Sequence, residues 1–182
     1  YLQQAASEGR AHFHATCDQL EKAGYKIKSV AAMPDFDSIC TRHNLLVAAE
    51  AARVHAQWFA QYGDCYHSKT VDLIERGQTV SHADLVAALD GREQLRVALT
   101  ALMETNHIDV WISPSACAAA PEGLHSTGDP VMNLPWTHSG LPTIGVPSGN
   151  AVGGLPFGLQ MATRLGYDET LFAWASQIEE VL

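Results

Sequence analysis

At residue 107 the chain changes its hydrophobic period, and that change limits the architectures open to it. Before it, apolar residues recur three or four apart, as on one face of a helix. After it, short β-branched or aromatic runs are cut by glycine and proline, which is how sheet strands read. Ile108 to Ile112, Thr143 to Pro147 and Leu155 to Thr163 are the expected strands. Pro142, Pro147 and Pro156 border or enter them, each removing a ladder donor and so marking an end, an edge or an irregularity. Gly153 and Gly154 allow a tight turn between two strands. Residues 113–140 remain as a long loop rich in Pro, Gly, Ser and Asp, and loops of that length in compact domains are functional or disordered.

The helical part begins at once. Residues 2–23 read as a helix carrying Phe13, Cys17 and Leu20 on one face, ended by Gly24. Tyr25 and Ile27 alternate with Lys26 and Lys28, the period of a strand with one wet face, which ends before Pro34. From Asp37 or Ser38 a long helix runs to about Tyr62 with Ile39, Leu46, Val47, Val54 and Trp58 as its buried stripe, and Gly63 stops it. A shorter helix is expected over Cys65 to Glu75. Ser81 and Asp84 resemble a capping box opening a helix to about Glu104. Asp168 caps a final helix with Leu171, Phe172, Ala175, Ile178 and Leu182 on one face. The chain thus reads as one domain, residues 1–106 mainly helical with one strand and 107–182 holding strands, loop and last helix.

Helices outside and strands inside make an α/β layer architecture. A sheet with so few strands leaves edges that pair with something else, as a fragment of a larger sheet or a homo-oligomer would. At 182 residues and 47% hydrophobic content a substantial core is expected. Twenty acidic against eleven basic residues, net −9, argue against a nucleic-acid partner. No apolar run approaches the roughly 20 residues of a membrane span. Cys17, Cys40, Cys65 and Cys117 lie far apart without a secretory signal, the usage of a reducing, cytoplasmic compartment. The opening YLQQAASEGRAHFH reads as the start of an amphipathic helix inside a larger protein.

Three motifs in order carry a family resemblance. Asp109-Val110-Trp111-Ile112-Ser113-Pro114 ends a strand, Asn133-Leu134-Pro135-Trp136-Thr137 leads to Gly140-Leu141-Pro142, and Gly154-Leu155-Pro156-Phe157-Gly158-Leu159-Gln160 closes the region. Together they resemble the C-terminal part of the amidase-signature family of serine amidohydrolases. That resemblance implies a mixed β-sheet flanked by helices, the C-terminal portion of the amidase-signature fold, and a small-molecule amide substrate without cofactor or metal. It also implies a serine nucleophile, a second serine in a cis peptide relaying its proton, and a lysine as ultimate base, all in the N-terminal half. None of these is carried over: there is no Gly-Ser-Ser-Gly stretch, and Lys22, Lys26, Lys28 and Lys69 lie outside the family's lysine context.

In this family the C-terminal half forms one wall of the substrate funnel. Thr127, Gly128, Asp129, Asn133, Trp136 and Thr137 are the candidates here, with Trp136 as an apolar lid. The alternative is that Asp129 and Asn133 cap turns and Trp136 is core. Glu50, between Leu46 and Val54, is a candidate buried carboxylate, paired with Arg53, Arg92 or Arg96 or facing a cavity. His12 with His14, and Cys65 with His67, are two apart and make poor metal sites. Three functions remain open: the C-terminal part of an amidase acting on a small carboxamide or carbamoyl compound, with its catalytic half missing here; a glutamine amidotransferase component releasing ammonia from glutamine for partner proteins; or a non-catalytic interaction module.

Overall fold

The computed structural model describes all 182 residues, in two compact units: Tyr1–Pro34 with Arg96–Leu182, and Asp35–Leu95. In the first unit, α1 (Ser7–Lys22) follows a 3-10 turn at Leu2–Gln4, so the expected single helix is broken at Ala5 and Ala6. Gly24, at φ +99°, ends α1 as read: its N–H bonds the Glu21 carbonyl and the Tyr25 N–H the Leu20 carbonyl. Strands β1 (Trp111–Pro114), β2 (Thr143–Asn150) and β3 (Pro156–Ala162) follow, with α5 (Leu134–Ser139) in the long loop and α6 (Asp168–Glu179) last. The Asn-x-Pro-Trp-Thr segment is therefore a short helix, with Pro135 in its first turn where no N–H is needed.

The sheet is antiparallel throughout, in the order β1-β3-β2. Ile112 and Ile144 both oppose Met161, and Val146 opposes Leu159. The register breaks between Pro147 and Asn150, where proline cannot donate to the ladder. Central β3 is buried on both faces. Leu159 and Met161 pack with Leu20, Val146, Leu171, Ala175 and Ile178, so α1 and α6 share one face of the sheet. Each of these side chains except that of Ala175 contributes about 1.5–3 kcal/mol of burial. Phe172, expected on the buried face of α6, is 66% exposed; the inward positions are Leu171, Ala175 and Ile178, one turn apart.

The strand expected at Tyr25–Lys28 does not form. Its alternation survives, with Tyr25 and Ile27 half-buried between exposed Lys26 and Lys28. A strand also needs a ladder partner, and beyond the Tyr25 bond that closes α1 this segment makes no backbone–backbone hydrogen bond.

The second unit contains α2 (Phe36–Tyr62), α3 (Ser68–Gln78) and the start of α4 (His82–Asn106). The Ser81 hydroxyl accepts the Asp84 N–H at 3.1 Å and donates to the Asp84 carboxylate at 2.6 Å, so Ser81 caps α4, while the return bond of a full capping box, from the Ser81 N–H to Asp84, does not form. The expected stripe on α2 holds at Ile39 and Leu46 and fails beyond them. Val47, Val54 and Trp58 are exposed, the last two by 61% and 58%. The reason is the close crossing of α3: a Cβ on Gly77 would lie 1.9 Å from the Ala48 carbonyl oxygen. Only small residues tolerate that approach, so Ala48 and Ala52 turn inward and the larger apolar residues turn out. Glu50 is rotated outward with them. It is an exposed carboxylate, not a buried one, and an ion pair in this unit joins Asp35 to Arg42 at 3.0 Å. No helix is long and apolar enough to cross a membrane.

Candidate functional site

One polar network holds the loop between β1 and β2 against the sheet. Alternate residues of β3 point to opposite faces, so Gln160 projects away from Leu159 and Met161. Its Nε2 donates to Ser113 Oγ at 3.1 Å and to the Met132 carbonyl at 3.0 Å. The Tyr1 hydroxyl donates to the same carbonyl and accepts from Trp136 Nε1 at 2.9 Å, while Ser113 Oγ lies 3.3 Å away. Burial pushes the Tyr1 phenol above its ordinary pKa, against its hydrogen bonds to Ser113, Trp136 and Gln160. It therefore stays a donor across the neutral range. The Tyr1 ring meets Trp136 edge-on, centroids 5.9 Å apart at 85°.

The network fixes the 3-10 turn Pro130–Met132 and α5 behind it. Met132, Trp136, His138 and Ser139 are buried. Arg96 Nε donates to the Ser139 carbonyl at 2.9 Å, and Ser139 Oγ to the Trp136 carbonyl at 3.0 Å. Gly140, at φ +68°, closes α5 with its N–H on the same carbonyl.

The six candidates divide into three places. Thr127, Gly128 and Asp129 sit on the exposed tip of the loop; the Gly128 N–H bonds Ser126 Oγ at 3.1 Å, and Asp129 Oδ1 accepts the Val131 N–H at 2.9 Å, capping the turn. Asn133, the N-cap of α5, and Thr137, one turn on, are both exposed, so their side chains lie on one side of the helix. Asn133 Nδ2 reaches the Ser115 carbonyl at 3.2 Å, and Thr137 Oγ1 the Asn133 carbonyl at 3.2 Å. Trp136 is only 3% exposed and forms no lid; its indole N–H is committed to Tyr1. Sequence reasoning missed Tyr1, Ser113 and Gln160 as the residues that hold this loop against the sheet. Gln160 lay inside a motif already noted. Nothing in the sequence marked Tyr1.

Other reactive side chains are held in structural roles. His12 Nε2 lies 3.1 Å from Ser148 Oγ and stacks on Phe157 at 4.3 Å, but no carboxylate orients its other nitrogen as a catalytic pairing requires. His67 Nδ1 accepts the Lys69 N–H, capping α3. The four lysines are exposed, and Lys28 Nζ bonds the Asn106 carbonyl at 3.3 Å. Burial, with Glu21 and Asp18 nearby, pushes the Cys17 thiol up to about 11, the opposite of what an active thiolate needs.

The chain is similar to known proteins in sequence and in fold. The family model described as Amidase matches residues 2–172. A glutamyl-tRNA(Gln) amidotransferase component from Methylocella silvestris is 41% identical over 81 residues, covering 40% of this chain and 16% of the relative. Its counterpart in Parvibaculum lavamentivorans is 37% identical over 82 residues, covering 41% and 17%. Among solved structures, a crystal structure of an amidase superposes with a TM-score of 0.86 at 22% identity, covering 98% of this chain and 43% of that one. 6-Aminohexanoate cyclic dimer hydrolase complexed with substrate gives 0.80 at 19%, covering 98% and 42%. At these identities the structural likeness speaks for the fold. The chain spans less than half of either solved relative, and its matches cover about a sixth of each curated one.

Proposed function

Because the chain belongs to the amidase family, we propose that it is the C-terminal portion of an amidase hydrolysing a small carboxamide or carbamoyl compound, with nucleophile and base supplied from outside residues 1–182. The observation that carries this reading is the family match over residues 2–172 in a chain whose buried serines bond within the scaffold. Ser113 is held by Gln160, Ser139 by the Trp136 carbonyl and Ser148 by His12. None takes a hydrogen bond from a lysine. In amide hydrolysis of this type a serine oxygen, relieved of its proton by a base, attacks the carbonyl carbon; the C–N bond breaks and water releases the acyl group. Backbone N–H groups stabilise the oxyanion.

This chain's part is to shape the wall. The Tyr1, Ser113 and Gln160 network positions α5, and Asn133 and Thr137 offer an amide and a hydroxyl from its exposed face. Thr127, Gly128 and Asp129 belong to the same wall, and Gly128, at φ +92°, lets backbone approach a ligand. Trp136 acts through packing, as a positioning residue. Four free cysteines fit a reducing compartment, the cytoplasm.

The test is ammonia release from short carboxamides by this chain joined to its upstream coding sequence. Asn133→Ala and Thr137→Ala should each raise KM about 3- to 10-fold with a smaller change in kcat, the loss of one hydrogen bond. An unchanged KM removes both residues from the site. A second reading, an amidotransferase component that frees ammonia from glutamine for a partner, is favoured by the two amidotransferase relatives. It requires glutaminase activity that rises when a partner protein is bound.

A further inference from the structure

Helix α2 is apolar on two faces. One packs on α3 through Ala48 and Ala52, where Gly77 comes close. The other carries Val47, Ala51, Val54, Trp58 and Tyr62, and all of these but half-buried Ala51 are exposed. Single exposed apolar residues are ordinary on a surface, but four in line along one helix mark a face that meets something. The first four positions follow at intervals of four, three and four, the heptad seam by which one helix winds against another.

The stripe is held ready for contact. Trp58 and Tyr62 each leave more than half of their surface in solvent. Trp58 nonetheless meets the His55 ring edge-on at 5.8 Å. His55 Nδ1 and the Tyr66 hydroxyl share a hydrogen bond of 2.8 Å, and the Tyr66 ring stands edge-on to Phe59 at 5.5 Å. An exposed aromatic already fixed by its neighbours loses little side-chain entropy when covered, which is how the anchors of an interface behave.

The stripe is also complementary to itself. Reversed about a point between Val54 and His55, position 47 falls on 62 and position 51 on 58. A second copy laid antiparallel therefore sets Val47 against Tyr62 and Ala51 against Trp58, small against large, with the two Val54 side chains beside the two-fold axis. The polar margin agrees. At about 1.5 Å per residue the two Glu50 carboxylates lie about 13 Å apart along the pair, too far to repel across salt, and each falls beside Gln57 of the other copy, an amide donor. The face from Val47 to Tyr62 is about 24 Å long and about 10 Å wide, so pairing removes on the order of 1000 Å² from water, the size of a small reversible interface. The net charge of −9 turns the same stripe away from anionic lipid.

We infer that α2 is a homodimer interface, two copies of this chain pairing antiparallel through Val47, Val54, Trp58 and Tyr62, with Trp58 the anchor on each side. The pairing runs through a helix face and needs no sheet edge. It holds whichever amide the domain cleaves.

Sedimentation velocity of the chain joined to its upstream coding sequence, from about 1 to about 200 µM, tests the pairing, and a reversible monomer–dimer equilibrium is expected in that range. Val54→Asp sets two carboxylates beside the axis and should leave monomer at every concentration, and Trp58→Ala should raise the dissociation constant at least about 10-fold. Both positions are exposed, so circular dichroism and the thermal midpoint should match the parent. Val54→Lys alone should also be monomeric. An equimolar mixture of Val54→Asp and Val54→Lys should dimerise again, because residue 54 meets itself only at a two-fold axis. A parent that stays monomeric at about 200 µM overturns the pairing, whether solvent or the rest of the domain covers the stripe. So does a dimer that Val54→Asp leaves intact, which would join through another surface, and so does a mixture that stays monomeric. Should either charged variant lose its fold, the Trp58→Ala dissociation constant decides, and an unchanged value overturns the pairing.

Discussion

Replacing Gln160 with leucine tests whether the wall is held by its hydrogen bonds or by packing alone. Leucine keeps most of the volume and removes both donors. Two neutral bonds at 3.1 and 3.0 Å are lost, with a longer one of 3.5 Å to the Tyr1 hydroxyl, from a side chain only 5% exposed. The Met132 carbonyl keeps the Tyr1 hydroxyl as donor, and Ser113 Oγ still lies 3.3 Å from it, so neither partner is orphaned outright. At about 1 kcal/mol per bond the cost is about 2 kcal/mol, near a 30-fold change in the folding equilibrium. Urea unfolding followed by tryptophan fluorescence should show the midpoint falling by about 1 M. Tyr1→Phe should cost about 1–3 kcal/mol, because it leaves the buried Trp136 N–H without its acceptor. A double-mutant cycle should then return a coupling of at least about 0.5 kcal/mol. If Gln160→Leu unfolds within about 0.5 kcal/mol of the parent, packing alone holds the wall and the network argument is wrong.

Gly77→Ala should destabilise the chain by about 1–3 kcal/mol or more in urea unfolding, since the new methyl would meet the Ala48 carbonyl oxygen and backbone must move; a neutral result would mean that α2 and α3 do not cross so closely. Burial first, and Arg92 second, hold His43 below its ordinary pKa of 6.5, against the pull of Glu50. The unfolded chain then binds the proton the folded chain refuses, so stability is lost as pH falls below about 6.5. His43→Gln should flatten thermal stability between pH 7 and 5, and an unchanged slope would assign the acid loss to other groups.

Reading from sequence succeeded where one short-range rule decides the outcome. Gly24 ends α1 because a left-handed residue is needed there, Ser81 caps α4 through its own side chain, and Gly153 and Gly154 turn the β2–β3 hairpin, both at positive φ. It failed where the answer depends on what lies across the contact. Val54 and Trp58 fit a buried stripe as well as Ala48 and Ala52 do, and only the approach of Gly77 decides between them. Tyr25 to Lys28 has the right period, yet a strand requires a neighbour that its own residues cannot specify. The site divides in the same way. The loop and its motif residues were legible, but the Tyr1 hydroxyl reaches Met132 and Trp136 across more than 130 positions, a juxtaposition no local pattern encodes. Trp136 was singled out for its place in a motif, and burial turned it from a surface contact into a support.

The central claim is that this chain supplies the scaffold and one wall of an amidase site and that its own serines are not the nucleophile. Ammonia release from a panel of small carboxamides, measured for residues 1–182 alone and for the chain joined to its upstream coding sequence, tests it most directly. The account predicts no release above buffer from the shorter chain. It predicts turnover by the joined protein that survives Ser115→Ala, Ser126→Ala and Ser148→Ala. Hydrolysis by residues 1–182 alone, abolished by replacing one of its own serines, would contradict it.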